Sequence, residues 1–351
     1  MKIAQIAPLT ERVPPRLYGG TERVVSYLTE ELVRRGHKVT LFASGDSITG
    51  AQLVAVAPLA LRFDPTVRDP LPHTLLLLEE VRKRAPDFDV LHFHTDLVHF
   101  PLFRPLARRT VTTLHGRLDL PDLPSFYREF DDMPVVSISD HQRTPLPHAL
   151  WTGTVHHGLP RNLTRYYGNP SGAYLAFLGR ISPEKRPDRA IAIAKRVGMR
   201  LLIAAKVDRV DEAYFEREIR PLLAHPLIEW VGEIGEHEKP DFLGNADALL
   251  FPVDWPEPFG LVMIEAMSCG TPTIAYRCGS VPEIIEHGVS GYVVDDEDSA
   301  AAAVSRLDAL DRALVRASFE RRYTAERMAD DYLRIYQRVK GSNDDRIRCA
   351  A

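Results

Sequence analysis

Short apolar runs alternate with amphipathic stretches along nearly the whole chain. Residues 2–7 read as a strand. Residues 21–35 place Val24, Leu28 and Leu32 on one stripe at helical spacing, Gly36 stops that helix, and residues 38–43 form the next strand. Residues 90–93, 110–114 and 135–138 are further short β-rich runs, separated by helical or Pro-broken segments. The rhythm predicts βαβ units and a mostly parallel sheet. Residues 159–172, LPRNLTRYYGNPSG, interrupt it with Pro, Asn and Gly and read as a linker. Strands are then expected near 174–178, 200–204, 228–231, 248–251, 273–275 and 292–294, with helices including 187–197 and 211–223. Residues 324–339 are helical and 341–351 look like a frayed tail.

The expectation is an α/β protein with two Rossmann-like domains, residues 1–158 and 173–323, facing a central cleft. In open α/β sheets ligands lie beyond the carboxyl ends of the strands, so residues that follow strands carry the functional reading. The length of 351 residues agrees with two cores rather than one.

Composition narrows the classes. Hydrophobic residues make up 45% and charged residues 26% of the chain, an ordinary globular balance. A net charge of −4 gives no basic field of the kind that gathers nucleic acid. Arg82-Lys83-Arg84 and Arg108-Arg109 fall at the ends of helical segments, where cations suit the helix dipole. Cys269, Cys278 and Cys349 are too few and too uneven for a disulfide framework or a four-cysteine zinc site, which points to a reduced, cytoplasmic protein. The apolar run 75–78 is far short of the roughly 20 residues a spanning helix needs. Contact with a membrane surface stays open.

Four stretches carry candidate chemistry. In YGGTER, Gly19 and Gly20 precede Thr21, a good N-cap, with Glu22 in the first turn; paired glycines there expose backbone amides to an anion. TLHGRLD places His115 just past a strand. FLGRISPEKRP puts Arg180 and Lys185 after the first strand of the second half, two cations suited to a diphosphate. In DWPEPFGLVMIEAMSCGTP, Glu257 leaves a buried strand and Gly260 opens a helix whose packed side is marked by Leu261 and Ile264. Glu265 sits on that helix with almost no other charge nearby, which is costly unless a ligand hydroxyl or a cation meets it. Glu257 and Glu265 are therefore expected to hold polyhydroxylated groups on either side of a phosphate at the helix N-terminus.

EPFGLVMIEAMSCGTP resembles the Glu-x7-Glu signature of the retaining glycosyltransferases of family 4. GRISPEK resembles that family's cation motif, YGGTER its glycine loop, and GSVPEIIEHGVSGYVV its closing segment; the resemblance runs over roughly residues 1–340. It implies the GT-B fold, a nucleotide-sugar donor and no bound cofactor or metal. By the resemblance, Arg180 and Lys185 hold the diphosphate, Glu265 takes ribose hydroxyls, and Glu257 contacts the donor sugar. Phe259, Gly260 and Leu261 offer backbone amides nearby, Gly19 and Gly20 approach the phosphate, His115 contacts the sugar, and Gly232, Glu233 and Ile234 meet the base. The helix near 324–340 crosses back to the first domain. Lys206 stands where many relatives have a glycine-rich turn, a departure from the family pattern that bears on the base and phosphate contacts there. The implied activity is hexosyl transfer, with UDP-glucose the default donor, to a small-molecule, saccharide or lipid acceptor.

Three alternatives are weighed against it. His92, His94 and Asp96 in HFHTD outline a metal-dependent hydrolase, with fewer ligands than a zinc site requires. The second is a nucleotide-sugar epimerase of the same fold, which would use the donor alone, or a phosphorylase; the third, a degenerate sugar-nucleotide binder, would have lost charges that this chain retains. DDEDS, residues 295–299, contains a nominal Asp-x-Asp, but it precedes an Ala-rich helix and reads as acidic capping.

Overall fold

The computed structural model describes residues 1–349, with the side chains of residues 1–340. The chain forms two compact units: Met1–Gly158 together with the final helix, Ala325–Cys349, and Leu159–Thr324.

The first unit is built on a seven-stranded, all-parallel sheet in the order β3-β2-β1-β4-β5-β6-β7. Its strands are β1 (Lys2–Ile6), β2 (Lys38–Ser44), β3 (Gln52–Ala57), β4 (Val90–Phe93), β5 (Thr110–Thr113), β6 (Pro134–Ser137) and β7 (Leu150–Thr154). The inner strands are buried on both faces, as near-continuous apolar runs require. One face packs Ile6, Phe42, Leu91, Phe93 and Phe103 into a core with Leu77, Leu78 and Val81. Those three lie on the helix Leu71–Arg84, whose last turn carries Arg82, Lys83 and Arg84 as its sequence implies. The final helix buries Met328, Tyr332, Ile335, Tyr336 and Val339, a stripe at i, i+4 and i+7 spacing. Its Tyr332 and Tyr336 reach side chains of β1, β4 and β5.

The second unit holds a six-stranded parallel sheet in the order β10-β9-β8-β11-β12-β13. It comprises β8 (Tyr174–Arg180), β9 (Arg200–Lys206), β10 (Ile228–Gly232), β11 (Ala248–Phe251), β12 (Thr273–Tyr276) and β13 (Gly291–Val294). In each unit the strand order reverses once, between β1 and β4 and between β8 and β11. Such reversal points open a crevice at the carboxyl ends of the strands.

Several expectations are corrected. Residues 159–172 are no linker: Leu159 pairs with Thr324, Thr164 bonds Ser268, and Tyr167 is buried in the core of the second unit. Apolar and aromatic residues among the Pro, Asn and Gly give this stretch a surface to pack. The helix expected over 211–223 is broken into a short α-turn, a π-helical turn at Phe215–Ile219 and a tighter turn at Arg220–Ala224. Pro221 supplies the reason, since it has no N–H for a continuous ladder. The expected tail at 341–351 is helical as far as Cys349, and residues 350 and 351 lie outside the described residues. Asp296 and Ser299 form a reciprocal capping box, the role read for DDEDS.

Candidate functional site

The second unit brings its charged residues to the reversal point. The loop after β8 and the loop after β11 are stitched together: Asp254 N–H donates to the Glu184 carbonyl at 2.9 Å, and Arg186 donates to Asp254 at 2.7 Å. Arg186 occupies the left-handed region, φ 52°, immediately before Pro187 opens its helix. Lys185 is thereby aimed at Glu257, and the two form a direct ion pair. The same carboxylate oxygen, Oε2, accepts the Trp255 indole N–H at 2.8 Å. Both contacts fall on that oxygen, which leaves Oε1 for a ligand. The Lys185 ammonium also lies 5.1 Å from the Trp255 ring centroid and 5.7 Å from that of Phe251, within cation–π range.

A third loop holds Glu257 from behind. Ser280 N–H donates to the Glu257 carbonyl at 3.0 Å, and Ser280 Oγ donates to the Phe259 carbonyl at 2.9 Å. Gly279 makes this approach feasible. Its φ is +59°, and a Cβ there would lie 2.3 Å from Glu257 N and 2.5 Å from Glu257 O. These residues belong to GSVPE, whose mechanical role nothing in its local pattern announces.

Gly260 is the N-cap of the helix Leu261–Cys269, in the left-handed conformation at φ 80°, and no side chain caps that end. The Leu261 amide therefore lacks an intrahelical partner, while Met263 N–H donates to the Gly260 carbonyl at 3.0 Å. Phe259 is buried and packs edge-to-face on Tyr323 at 6.2 Å. Glu265 is buried but not alone: Lys239 Nζ sits 2.8 Å from its Oε1 and 3.6 Å from Glu236. The lysine lies 26 residues away on another element, so the sequence around Glu265 could not reveal it.

Arg180 closes β8 beside Lys206, its register partner on β9. Glu184, Asp208 and Asp211 surround the guanidinium at 3.6, 3.5 and 3.4 Å. Lys206 is 2.8 Å from Asp208. Burial pushes the Asp211 carboxyl up. The lysine that replaces the expected glycine turn thus joins Arg180 in one charged cluster. Gly232 ends β10 at φ +83°, with Glu233 and Ile234 in the loop that follows, on the carboxyl edge of the same sheet.

Gly19, Gly20 and His115 belong to the first unit. Gly19, not Thr21, is the N-cap of the helix Gly20–Arg34, with no side-chain cap; Thr21 lies inside the helix and Glu22 is buried in its first turn. Burial raises the Glu22 carboxyl. His115 follows β5, donates or accepts at 2.8 Å with His94 Nδ1, and stacks on His157 at 5.3 Å.

His92 and His94 are spent in hydrogen bonds rather than poised as metal ligands. His92 engages Tyr336 through Nδ1 at 2.6 Å and Thr113 through Nε2 at 2.7 Å. His94 engages His115 through Nδ1 and Gln5 through Nε2, each at 2.8 Å. All four ring nitrogens are occupied, and Asp96 is exposed, which removes the geometric basis of the hydrolase alternative. Burial holds His92 and His94 well below the usual imidazole range and brings His115 down to about 3.

Comparison with known proteins shows the family and the fold. The family described as Glycosyltransferase Family 4 matches residues 18–210, and that described as Glycosyl transferases group 1 matches residues 168–321. A D-inositol 3-phosphate glycosyltransferase from Mycolicibacterium smegmatis is 28% identical, over 86% of this chain and 82% of its own. A phosphatidyl-myo-inositol mannosyltransferase from Mycobacterium leprae is 27% identical, over 97% and 98%. The solved structure of Anabaena HepE in complex with UDP and glucose superposes with a TM-score of 0.72 at 19% identity, over 95% of this chain and 98% of that one. Among the described residues no helix is long and apolar enough to cross a membrane.

Proposed function

Because the chain belongs to glycosyltransferase family 4, with the GT-B fold, we propose that it transfers a hexose from a nucleotide diphosphate sugar to a hydroxyl acceptor, with retention of anomeric configuration and without a metal. The observation that carries this reading is the Lys185–Glu257 pair at the strand reversal of the second sheet. There Arg180 and Lys185 neutralise the diphosphate as it leaves, helped by the uncapped amides at Gly260–Leu261. Glu257 holds donor-sugar hydroxyls through Oε1, and Glu265 takes ribose hydroxyls while Lys239 balances its charge. Gly232, Glu233 and Ile234 receive the base; in the first unit Gly19 and Gly20 offer backbone amides to an anion, and His115 offers a ring nitrogen to a hydroxyl. The leaving oxygen takes the acceptor proton in a front-face displacement, so no protein nucleophile is needed.

UDP-glucose is the first donor to assay, since HepE was solved with UDP and glucose. The names of the two curated relatives share an inositol phosphate moiety, which makes a cyclic polyol phosphate, free or lipid-linked, the first acceptor to assay. The reading is tested by incubating the protein with UDP-, GDP- and ADP-sugars in EDTA, without acceptor, and following nucleoside diphosphate release. Slow release from one donor, lost in Glu257→Ala, is expected. Release that needs a divalent cation, or that survives in the variant, overturns it.

A further inference from the structure

The reversal point of the first sheet is occupied by an uncharged hydrogen-bond chain that the transfer reaction, as read so far, leaves unexplained. Gln5 on β1 and His92 on β4 are register partners, so they share one face of the sheet. His94 and Thr113 fall on the same face by the two-residue period of strands. Against that face the final helix lays Tyr332 and Tyr336, both fully buried. The links then run without a gap: Tyr332 to Thr113 at 2.8 Å, Thr113 to His92 at 2.7 Å, His92 to Tyr336 at 2.6 Å, Tyr336 to Gln5 at 3.1 Å, Gln5 to His94 at 2.8 Å, and His94 to His115 at 2.8 Å.

The chain has a direction. The Gln5 amide gives its Nε2 to Tyr336 and its Oε1 to His94. A carbonyl oxygen only accepts, so His94 donates from Nε2. A neutral imidazole has one N–H, so His94 Nδ1 must accept, and the donor to it is His115 Nε2. That leaves the lone pair of His115 on Nδ1, which is buried and has no hydrogen-bond partner among the described residues. At the other end Tyr336 accepts from Gln5 and donates to His92 Nδ1, which makes His92 donate from Nε2 to Thr113. Every ring nitrogen in the chain keeps one role. Burial without charge supports this, because all three imidazoles are held neutral across the physiological range.

We infer that Gln5, His94 and Tyr336 are positioning residues that fix His115 as its Nε2-protonated tautomer, so that its Nδ1 is a bare acceptor for a ligand hydroxyl. The part concerning the ligand rests on the function proposed above; the tautomer does not. The chain explains why the final helix, distant in sequence, belongs with the first unit: it supplies Tyr336, the group that orients the Gln5 amide.

The test is long-range proton–nitrogen NMR on histidine-labelled protein, without any donor. The His115 signals are assigned by their loss in His115→Gln. The expected result is one neutral tautomer with Nδ1 unprotonated and Nε2 protonated. Gln5→Met, which is apolar and of similar length, is expected to release His115 into a mixture of tautomers and to lower kcat/KM about tenfold, the equivalent of one ordinary hydrogen bond. Gln5→Glu keeps an acceptor facing His94, so it is expected to retain the wild-type tautomer of His115 and serves as the control for folding. Protonation at Nδ1 in the wild type means the chain runs the other way and overturns the inference. So does an unchanged single tautomer in folded Gln5→Met. A protein with the expected tautomer but no sugar transfer from any donor would instead remove the transferase reading and leave the tautomer assignment standing.

Discussion

The two sheets share a strand order and place opposite kinds of chemistry where it reverses. The second sheet gathers fixed charges: Lys185 on Glu257, Lys239 on Glu265, and Arg180 among three carboxylates. The first gathers neutral groups: Gln5, three histidines and two tyrosines, each oriented by the next. The difference teaches what each can do for a ligand. The ion pairs keep fixed charges beside buried carboxylates, and each carboxylate engages its lysine through a single oxygen. A neutral buried chain offers no charge, but it fixes which atom donates and which accepts.

Four outcomes sharpen that contrast. The largest effect is expected from Lys185→Ala, which removes a charge that the proposed function places on the leaving diphosphate and strands Glu257 without its cation. Turnover should fall on the order of 100- to 1000-fold, with the melting temperature measured alongside to separate local unpairing from unfolding. A variant within threefold of wild type would show that the pair is structural. Gly279→Ala comes next. A Cβ there collides with the Glu257 backbone, so the carboxylate must move; about 100-fold loss of kcat is expected, since small misplacements cost that much. The tautomer of His115 should be unchanged in it, because the two belong to separate units.

The third outcome concerns pH. The buried histidines of the first unit, His92, His94, His99, His115 and His157, are all held below the ordinary value of 6.5 by burial. The unfolded chain therefore binds protons that the folded unit refuses. Their contribution is complete above pH 6.5 and is lost as pH falls from there toward the folded values, about 3 for His115. Unfolding midpoints of the first unit should decline over that window, read by Trp151 fluorescence. A midpoint that is flat from pH 7 to 5 would mean that these rings are not buried neutral. The smallest effect is expected from Asp296→Ala, which removes the capping box of the helix Glu297–Val304. It should lower the denaturant midpoint slightly and leave turnover untouched. A loss of activity on adding EDTA to wild type that Asp296→Ala abolishes would give the acidic run a metal role.

Much of this was legible in the chain. The inner strands announce themselves because parallel strands buried on both faces are continuous apolar runs. The two strands not expected, β3 and β7, are the edges of the first sheet, only partly buried and built from QLVAVA and LWTGT. Half-exposed edges carry a weaker pattern. Arg180, Lys185, Glu257 and Glu265 could each be picked out from their neighbours, but their partners could not. Lys185 and Glu257 lie 72 residues apart, and Lys239 reaches Glu265 from a different helix. The hydrogen-bond chain did leave a trace, in His92 and His94 at strand spacing, Thr113 and His115 at the same spacing, and Tyr332 and Tyr336 one helical turn apart. Read singly, the histidines suggested a metal; read as faces, they point at each other.

The measurement that bears most directly on the account is the anomeric configuration of the sugar first released from UDP-glucose, or from whichever donor turns over. It is followed by proton NMR before mutarotation sets in. The account predicts that the α-linked donor yields the α-anomer first, as a front-face displacement requires. Initial appearance of the β-anomer would contradict it, because inversion needs a base on the opposite face, a role the account gives to no residue.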